Sequence, residues 1–211
     1  MVFGTQRIKK KLEKSLYGIK QAARTWFHYL EPGLTTLGFV PSQVDPCLFY
    51  RHDCIIALYV DDCLLFSPDA TVIEEIVNSL GRNYIVGDKR SVQDFLGVHI
   101  AHDSTGGIQF SQPTLVTSIL QDLNLQDCHR KFTPDFSVLH PDHGSQPHTD
   151  TWNYRLVVGK LNYLVQMIRP DISMAIHNCA RFSVNPTYLH KQAIKRIGHY
   201  LAATQDKGLH F

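Results

Sequence analysis

Apolar residues along this 211-residue chain recur at two different periods, and each change of period marks a new element. In QAARTWFHYLEPGLTTLGF, Trp26, Phe27, Leu30, Leu34 and Leu37 share one helical face, which predicts an amphipathic helix broken near Pro32 and Gly33. CLFYRHDCIIALYV predicts a strand, a tight turn at His52 and Asp53, and a second strand; CLLFS predicts a third. DATVIEEIVNSLGRN predicts a helix capped by Asp69, with acids in its early turns and an apolar face of Val72, Ile76, Val77 and Leu80. VQDFLGVHIAHDSTGGIQFSQ predicts a hairpin turning across residues 103–107. A helix over residues 113–123 follows, with Pro113 in its first turn.

Residues 132–150 are rich in Pro, His, Asp and Ser and predict a long loop or linker. From Trp152 onward the period is helical, and two helices are predicted to begin at Pro170 and Pro186. The fold class predicted is therefore α+β up to about residue 130 and almost purely helical after 150, with no internal repeat or low-complexity tract.

Composition changes this picture little. Hydrophobic residues make up 44% and charged residues 19%, ordinary for a soluble globular protein. The net charge of +2 does not by itself point to nucleic acid, but its distribution is uneven. Residues 1–24 hold seven Lys or Arg (Arg7, Lys9, Lys10, Lys11, Lys14, Lys20, Arg24) against a single Glu13. That suits a phosphate-bearing partner, and a solvated helix face suits it equally. Five cysteines without a C-x-x-C pair read as small buried hydrophobes in a reducing compartment. No apolar run approaches a membrane span and no signal-peptide core is present, which predicts an intracellular, soluble chain.

The chemistry sits in IALYVDDCLLF, residues 56–66, where Asp61 and Asp62 interrupt two apolar runs. Burying unpaired carboxylates costs several kcal/mol or more, and no Lys or Arg lies within the run, so a bound cation is the economical partner. Adjacent strand residues face opposite ways, so both acids reach one site only if the backbone turns at them. Strand, acids, strand predicts a hairpin with its acids at the tip, where hard oxygen donors suit Mg²⁺. An Asp pair alone is more often a turn or a solvated edge. Two-metal chemistry also needs a further carboxylate from a neighbouring strand.

At these residues the chain resembles the reverse transcriptases of copia-type retrotransposons. YVDD (residues 59–62) resembles their active-site hairpin, and KKLEKSLYGIKQAARTWF (10–27) is similar to their Leu-Tyr-Gly-Leu-Lys-Gln-Ala-Pro-Arg-Ala-Trp motif. DFLGVHI (94–100) resembles their Phe-Leu-Gly-Ile motif, and the stretch from Tyr154 to the C-terminus resembles the segment leading to their ribonuclease H domain. The resemblance implies a partial polymerase palm, an antiparallel sheet with packed helices, over residues 1–130. It further implies a linker at 131–150 and a helical thumb or connection region at 151–211. Asp61 and Asp62 would be catalytic and hold two Mg²⁺ or Mn²⁺ ions. Tyr59 and Val60 would line the primer end. Gly18, Lys20, Gln21 and Arg24 would contact template, incoming nucleotide or phosphates, and Phe95, Leu96 and Gly97 would grip the primer strand. The partners implied are an RNA or DNA template-primer and deoxynucleoside triphosphates, with no membrane.

The departures are as informative. The family's other catalytic carboxylate lies on a strand well before the Leu-Tyr-Gly motif, whereas only Glu13 precedes it here. The expectation is a polymerase cut at both ends, lacking fingers and ribonuclease H domain. Polymerase segments in trans or a homo-oligomer would complete it, and the alternative is a catalytically dead remnant that binds nucleic acid. His140, His143 and His148 invite a zinc site, but without a surrounding Cys or carboxylate framework a solvated loop is preferred. Tyr17, Trp26 and Phe27 lie near basic residues, yet the helical spacing of Trp26 and Phe27 favours core over base stacking.

Overall fold

The computed structural model describes residues 19–87, 92–134, 139–141 and 152–211, and the chain packs as two compact units, Met1–Lys89 and Arg90–Phe211. In the first unit the order is α1 (Ala22–Thr36), β1 (Val40–Pro41), β2 (Leu48–Arg51), β3 (Cys54–Tyr59), β4 (Asp62–Phe66) and α2 (Ala70–Leu80). The strands form one antiparallel sheet in sequential order. Leu30 and Leu34 of α1 and Ile76 and Leu80 of α2 share a core with Phe49, Cys54, Ile56 and Leu58 of the sheet. Each fully buried aliphatic or aromatic side chain here contributes about 1.5–3 kcal/mol. The opposite sheet face is open, and the cross-strand row Val40, Tyr50, Ile55, Phe66 is exposed.

Local signals place most of these elements. Asp69 caps α2, its carboxylate accepting from the Thr71 N–H at 2.9 Å. His52 and Asp53 turn the β2–β3 hairpin, where Arg51 grips Asp53 through Nε at 2.6 Å and Nη2 at 3.0 Å. The expected break at Pro32 does not occur, and α1 runs through it. An interior proline costs roughly 3 kcal/mol, but burial of Leu30 and Leu34 on either side holds the helix to the sheet. Tyr84 adds a hydroxyl bond to the Tyr29 carbonyl at 3.2 Å, and it fits because any Cβ on Gly33 would collide with that hydroxyl.

The second unit contains β5 (Asp94–Phe95), β6 (Val98–His102), β7 (Ile108–Ser111), α3 (Pro113–Asp122), α4 (Tyr154–Met167), a 3₁₀ turn (Pro170–Ile172), α5 (Ser173–Ala180), α6 (Tyr188–Ala203) and β8 (Leu209–His210). Its strands form a second antiparallel sheet in sequential order. The single palm sheet expected is thus two small sheets, because β5–β8 pair among themselves. Val98 of β6, Val116, Ile119 and Leu120 of α3, Leu139 of the intervening loop and the apolar faces of α4–α6 form one core. Compact packing therefore divides the chain near Lys89, whereas the sequence divides by composition at 131–150, and Leu139 from within that stretch is buried in the second unit's core.

Two helix starts differ from expectation. Pro170 opens the 3₁₀ turn, and α5 begins at Ser173. Pro186 precedes α6, whose cap is Thr187; the Thr187 N–H donates to His190 Nδ1 at 3.0 Å, closing a capping box. None of the five cysteines forms a disulfide, and only Cys54 and Cys179 are buried; Cys63 is exposed, against the expectation of buried hydrophobes. Among the described residues no helix is long and apolar enough to cross a membrane.

Candidate functional site

Alternation along β3 fixes where the acids go. Cys54, Ile56 and Leu58 are buried while Ile55 and Tyr59 are exposed, so a one-residue slip would drive Tyr59 into the core and expel Leu58. In the resulting register Tyr59 pairs with Asp62, and Val60 and Asp61 form the turn between β3 and β4. Asp62 therefore lies beside Tyr59 on the open sheet face, and Asp61 stands at the tip where the backbone reverses. Tyr59, Val60, Asp61 and Asp62 are all exposed.

The turn is strained. Val60 has φ 56°, a left-handed conformation that is an outlier for a β-branched residue and costs on the order of 1–3 kcal/mol. Gly at that position relieves the strain but loses roughly 0.5–1 kcal/mol in chain entropy. Val60→Gly is therefore expected to stabilise the first unit by about 1 kcal/mol, read as a rise in the urea midpoint. A lower midpoint would show that the turn does not adopt this conformation.

Neither carboxylate forms an ion pair with a described residue. Their combined field is felt at Cys63, whose thiol is pushed up to about 11, first by desolvation and then by Asp62 and Asp61. Because Cys63 is exposed as a residue, repulsion from the two acids is the firmer cause. Adjacent, unpaired, exposed carboxylates are hard donors that fit a divalent cation, as part of a ligand set. Among the described residues no group of three or more His, Cys, Asp or Glu comes together.

Other expected residues lie elsewhere. Lys20, Gln21 and Arg24 are exposed around the start of α1, where Gln21 occupies the cap position without a side-chain cap bond. Two cations at the positive end of a helix repel its dipole, a local conflict that a bound anion would resolve. Gly18, Glu13, Tyr17 and the basic residues 7–14 lie outside the described residues, as do His143 and His148. His140 is exposed, and its carbonyl lies 3.3 Å from His190 Nε2. Trp26 and Phe27 pack against the first core, although Trp26 Nε1 is buried without a hydrogen-bond partner among the described residues.

Phe95, Leu96 and Gly97 belong to the second unit, where Leu96 (φ 51°) and Gly97 (φ 73°) make a left-handed two-residue turn between β5 and β6. A non-glycine residue in this conformation costs roughly 1–2 kcal/mol. Two side chains absent from the sequence reading hold the turn: Tyr163 and Gln112 donate to its two carbonyls. Their separation along the chain from Leu96 and Gly97 hides the link, although a Gln directly before a helix-starting Pro marks a turn worth inspecting.

Residues 4–137 match the reverse transcriptase (RNA-dependent DNA polymerase) family. The chain is 36% identical over 94% of its length to the retrovirus-related Pol polyprotein from transposon RE1 of Arabidopsis thaliana. It is 30% identical over its full length to that from transposon TNT 1-94 of Nicotiana tabacum. It is also 27% identical over 93% of its length to the putative transposon Ty5-1 protein of Saccharomyces cerevisiae. The chain spans 14% and 17% of the length of the first two relatives, and 65% of the third. No solved structure matches it. With YVDD at the tip of an antiparallel hairpin and the family match running through it, the chain belongs to the reverse transcriptase family, in the copia-type retrotransposon group.

Proposed function

We propose that the chain works in template-directed nucleotidyl transfer, with Asp61 and Asp62 as the metal-holding carboxylates. The observation that carries this reading is the hairpin itself, which sets two unpaired acids side by side at an exposed, register-locked tip. Divalent Mg²⁺ or Mn²⁺ ions, when bound, stabilise the attacking and leaving oxygens of phosphoryl transfer. Asp61 and Asp62 would hold the ions, and Tyr59 and Val60 would bound the place of the primer end. Lys20 and Arg24, at the positive start of α1, bind phosphates of template or incoming deoxynucleoside triphosphate, with Gly18 and Gln21 beside them. In this reading the first unit is palm, the helices after residue 150 are thumb or connection, and the turn at Phe95, Leu96 and Gly97 bears on the primer strand.

A second reading has one observation on its side: among the described residues no third carboxylate joins the pair. The chain then binds primer-template without extending it, unless another segment or chain brings the missing ligand. Primer extension on an RNA template, with Mg²⁺ and again with Mn²⁺, separates the two when parent and Asp61→Asn are compared. Extension by the parent and none by the variant supports the catalytic reading. Equal binding by both proteins with no extension supports the second. Absence of salt-dependent binding by either overturns both, because phosphate contacts necessarily weaken with salt.

A further inference from the structure

We propose that Tyr163 and Gln112 are positioning residues for the turn at Leu96 and Gly97, holding it left-handed so that its backbone amides meet a phosphodiester of the primer strand. This rests on the reading of that turn given above.

The turn has little of its own to keep it in place. β5 is two residues long and pairs with β6 at Asp94–His99 and Phe95–Val98, with one further backbone bond from the Ile100 N–H to the Gln93 carbonyl at 2.8 Å. A ladder that short is marginal, and Leu96 resists positive φ. Two donors from different elements compensate. The Tyr163 hydroxyl, on α4, donates to the Leu96 carbonyl at 2.7 Å, and Gln112 Nε2, at the start of α3, donates to the Gly97 carbonyl at 3.2 Å.

The base of this clamp is rigid. Gln112 is 2% exposed, and its carbonyl accepts from the Val116 N–H at 3.0 Å, locking it to the first turn of α3. Lys160, one turn before Tyr163 on α4, bridges to Ser118 at 2.8 Å and Asp122 at 2.6 Å on α3. The two helices that supply the donors are thus tied to each other, and Val98 roots β6 in the same core.

The consequence is an asymmetry of polar groups. Both carbonyls of the turn are occupied, whereas the Leu96 and Gly97 N–H groups make no hydrogen bond to a described residue. Successive free amides in a left-handed turn form a concavity that suits an anion. Gly97 is exposed, so the backbone can be approached closely. Such a contact reads phosphate and is indifferent to base sequence, as a strand-positioning contact must be.

The test is fluorescence anisotropy of a labelled primer-template duplex titrated with the full chain across a salt series, for parent, Tyr163→Phe and the double variant Tyr163→Phe/Leu96→Asn. Tyr163→Phe should bind about three- to tenfold more weakly, the worth of one lost hydrogen bond. Its slope of log affinity against log salt should be shallower by about 0.9, one phosphate contact, while its melting temperature falls only modestly, as one lost surface hydrogen bond requires. Leu96→Asn should restore both, because Asn tolerates positive φ. An unchanged slope for Tyr163→Phe, or a loss of affinity that tracks its melting temperature, overturns the positioning role while leaving the proposed function standing. A parent that fails to bind the duplex overturns both.

Discussion

Arg169→Ala is expected to lower the stability of the second unit by about 2–4 kcal/mol, because it removes a fully buried guanidinium and leaves the buried Thr204 acceptors unsatisfied, while its acid partner Asp171 stays in contact with solvent. Arg169 is 1% exposed and spends its whole guanidinium on partners. Nε and Nη2 grip Asp171 at 2.9 and 2.8 Å, Nη1 donates to the Thr204 carbonyl at 2.9 Å, and Nη2 also reaches Thr204 Oγ1 at 2.8 Å. The group lies 5.5 Å from the centre of the Tyr200 ring, whose hydroxyl donates to Asp171 at 2.7 Å. This network ties the 3₁₀ turn after α4 to the end of α6, where a cation also suits the helix dipole. Lysine cannot replace the fork, so Arg169→Lys should recover little. Urea denaturation of each variant reads the effect, and a loss under 1 kcal/mol would show that the network is dispensable.

The same network sets a pH dependence. Burial works to raise the Asp171 carboxyl, but hydrogen bonds from Arg169 and Tyr200 and the guanidinium charge outweigh it and hold it below the usual carboxylate range. A depressed folded value contributes stability that is present above the unfolded value and lost as pH falls through the folded one. Asp171→Asn should therefore be less stable than the parent at neutral pH, and the gap should close only in strongly acidic solution.

Gly208→Ala should detach β8 from the second sheet. A Cβ at Gly208 would overlap the Phe110 carbonyl, which is backbone of the partner strand and cannot swing away as a flexible side chain would. Ile108 and Phe211 exchange backbone hydrogen bonds at 3.0 Å in both directions, and the Phe110 and Phe211 rings stand 5.3 Å apart. Overpacking costs about 1–3 kcal/mol, occasionally more, and here release of a two-residue strand is the cheapest relief. Hydrogen exchange should show the Ile108 amide losing protection while amides of α4 keep theirs. Gly159→Ala is the contrast: nothing lies within 4 Å of a Cβ there, inside α4, so it should stabilise by roughly 0.5–1 kcal/mol. Retained protection at Ile108 in Gly208→Ala would show that β8 tolerates the side chain.

These residues divide what is local from what is not. The turns at residues 52–53 and 103–107 were legible because their chemistry is contained within them: the Asp103 carboxylate alone accepts from the Thr105 and Gly107 amides at 2.8 Å. The helix starts at Asp69 and Pro113 were legible for the same reason. Pro32 misled because a local penalty was outweighed by burial against a sheet that the helix does not itself encode. Arg169 gave no warning, since Thr204, 35 residues away, holds it. The strands β5 and β8, two residues each, are too short to carry a period.

By itself the sequence determined that Asp61 and Asp62 fall where a hairpin reverses, because apolar strand-like runs flank them on both sides; the register that buries Leu58, frees Tyr59 and puts the turn at Val60 and Asp61 came from the structure. It also determined the α+β class and the family motifs. Only the tertiary structure decided that residues 92–134 share a core with the helices beyond 152, that the strands split into two sheets, and that Tyr163 and Gln112 clamp a left-handed turn. The reason is physical: a period or a cap is an interaction among neighbours in sequence. A buried guanidinium, a two-residue strand or a held carbonyl exists only when distant segments meet, and its energy appears nowhere in either segment alone.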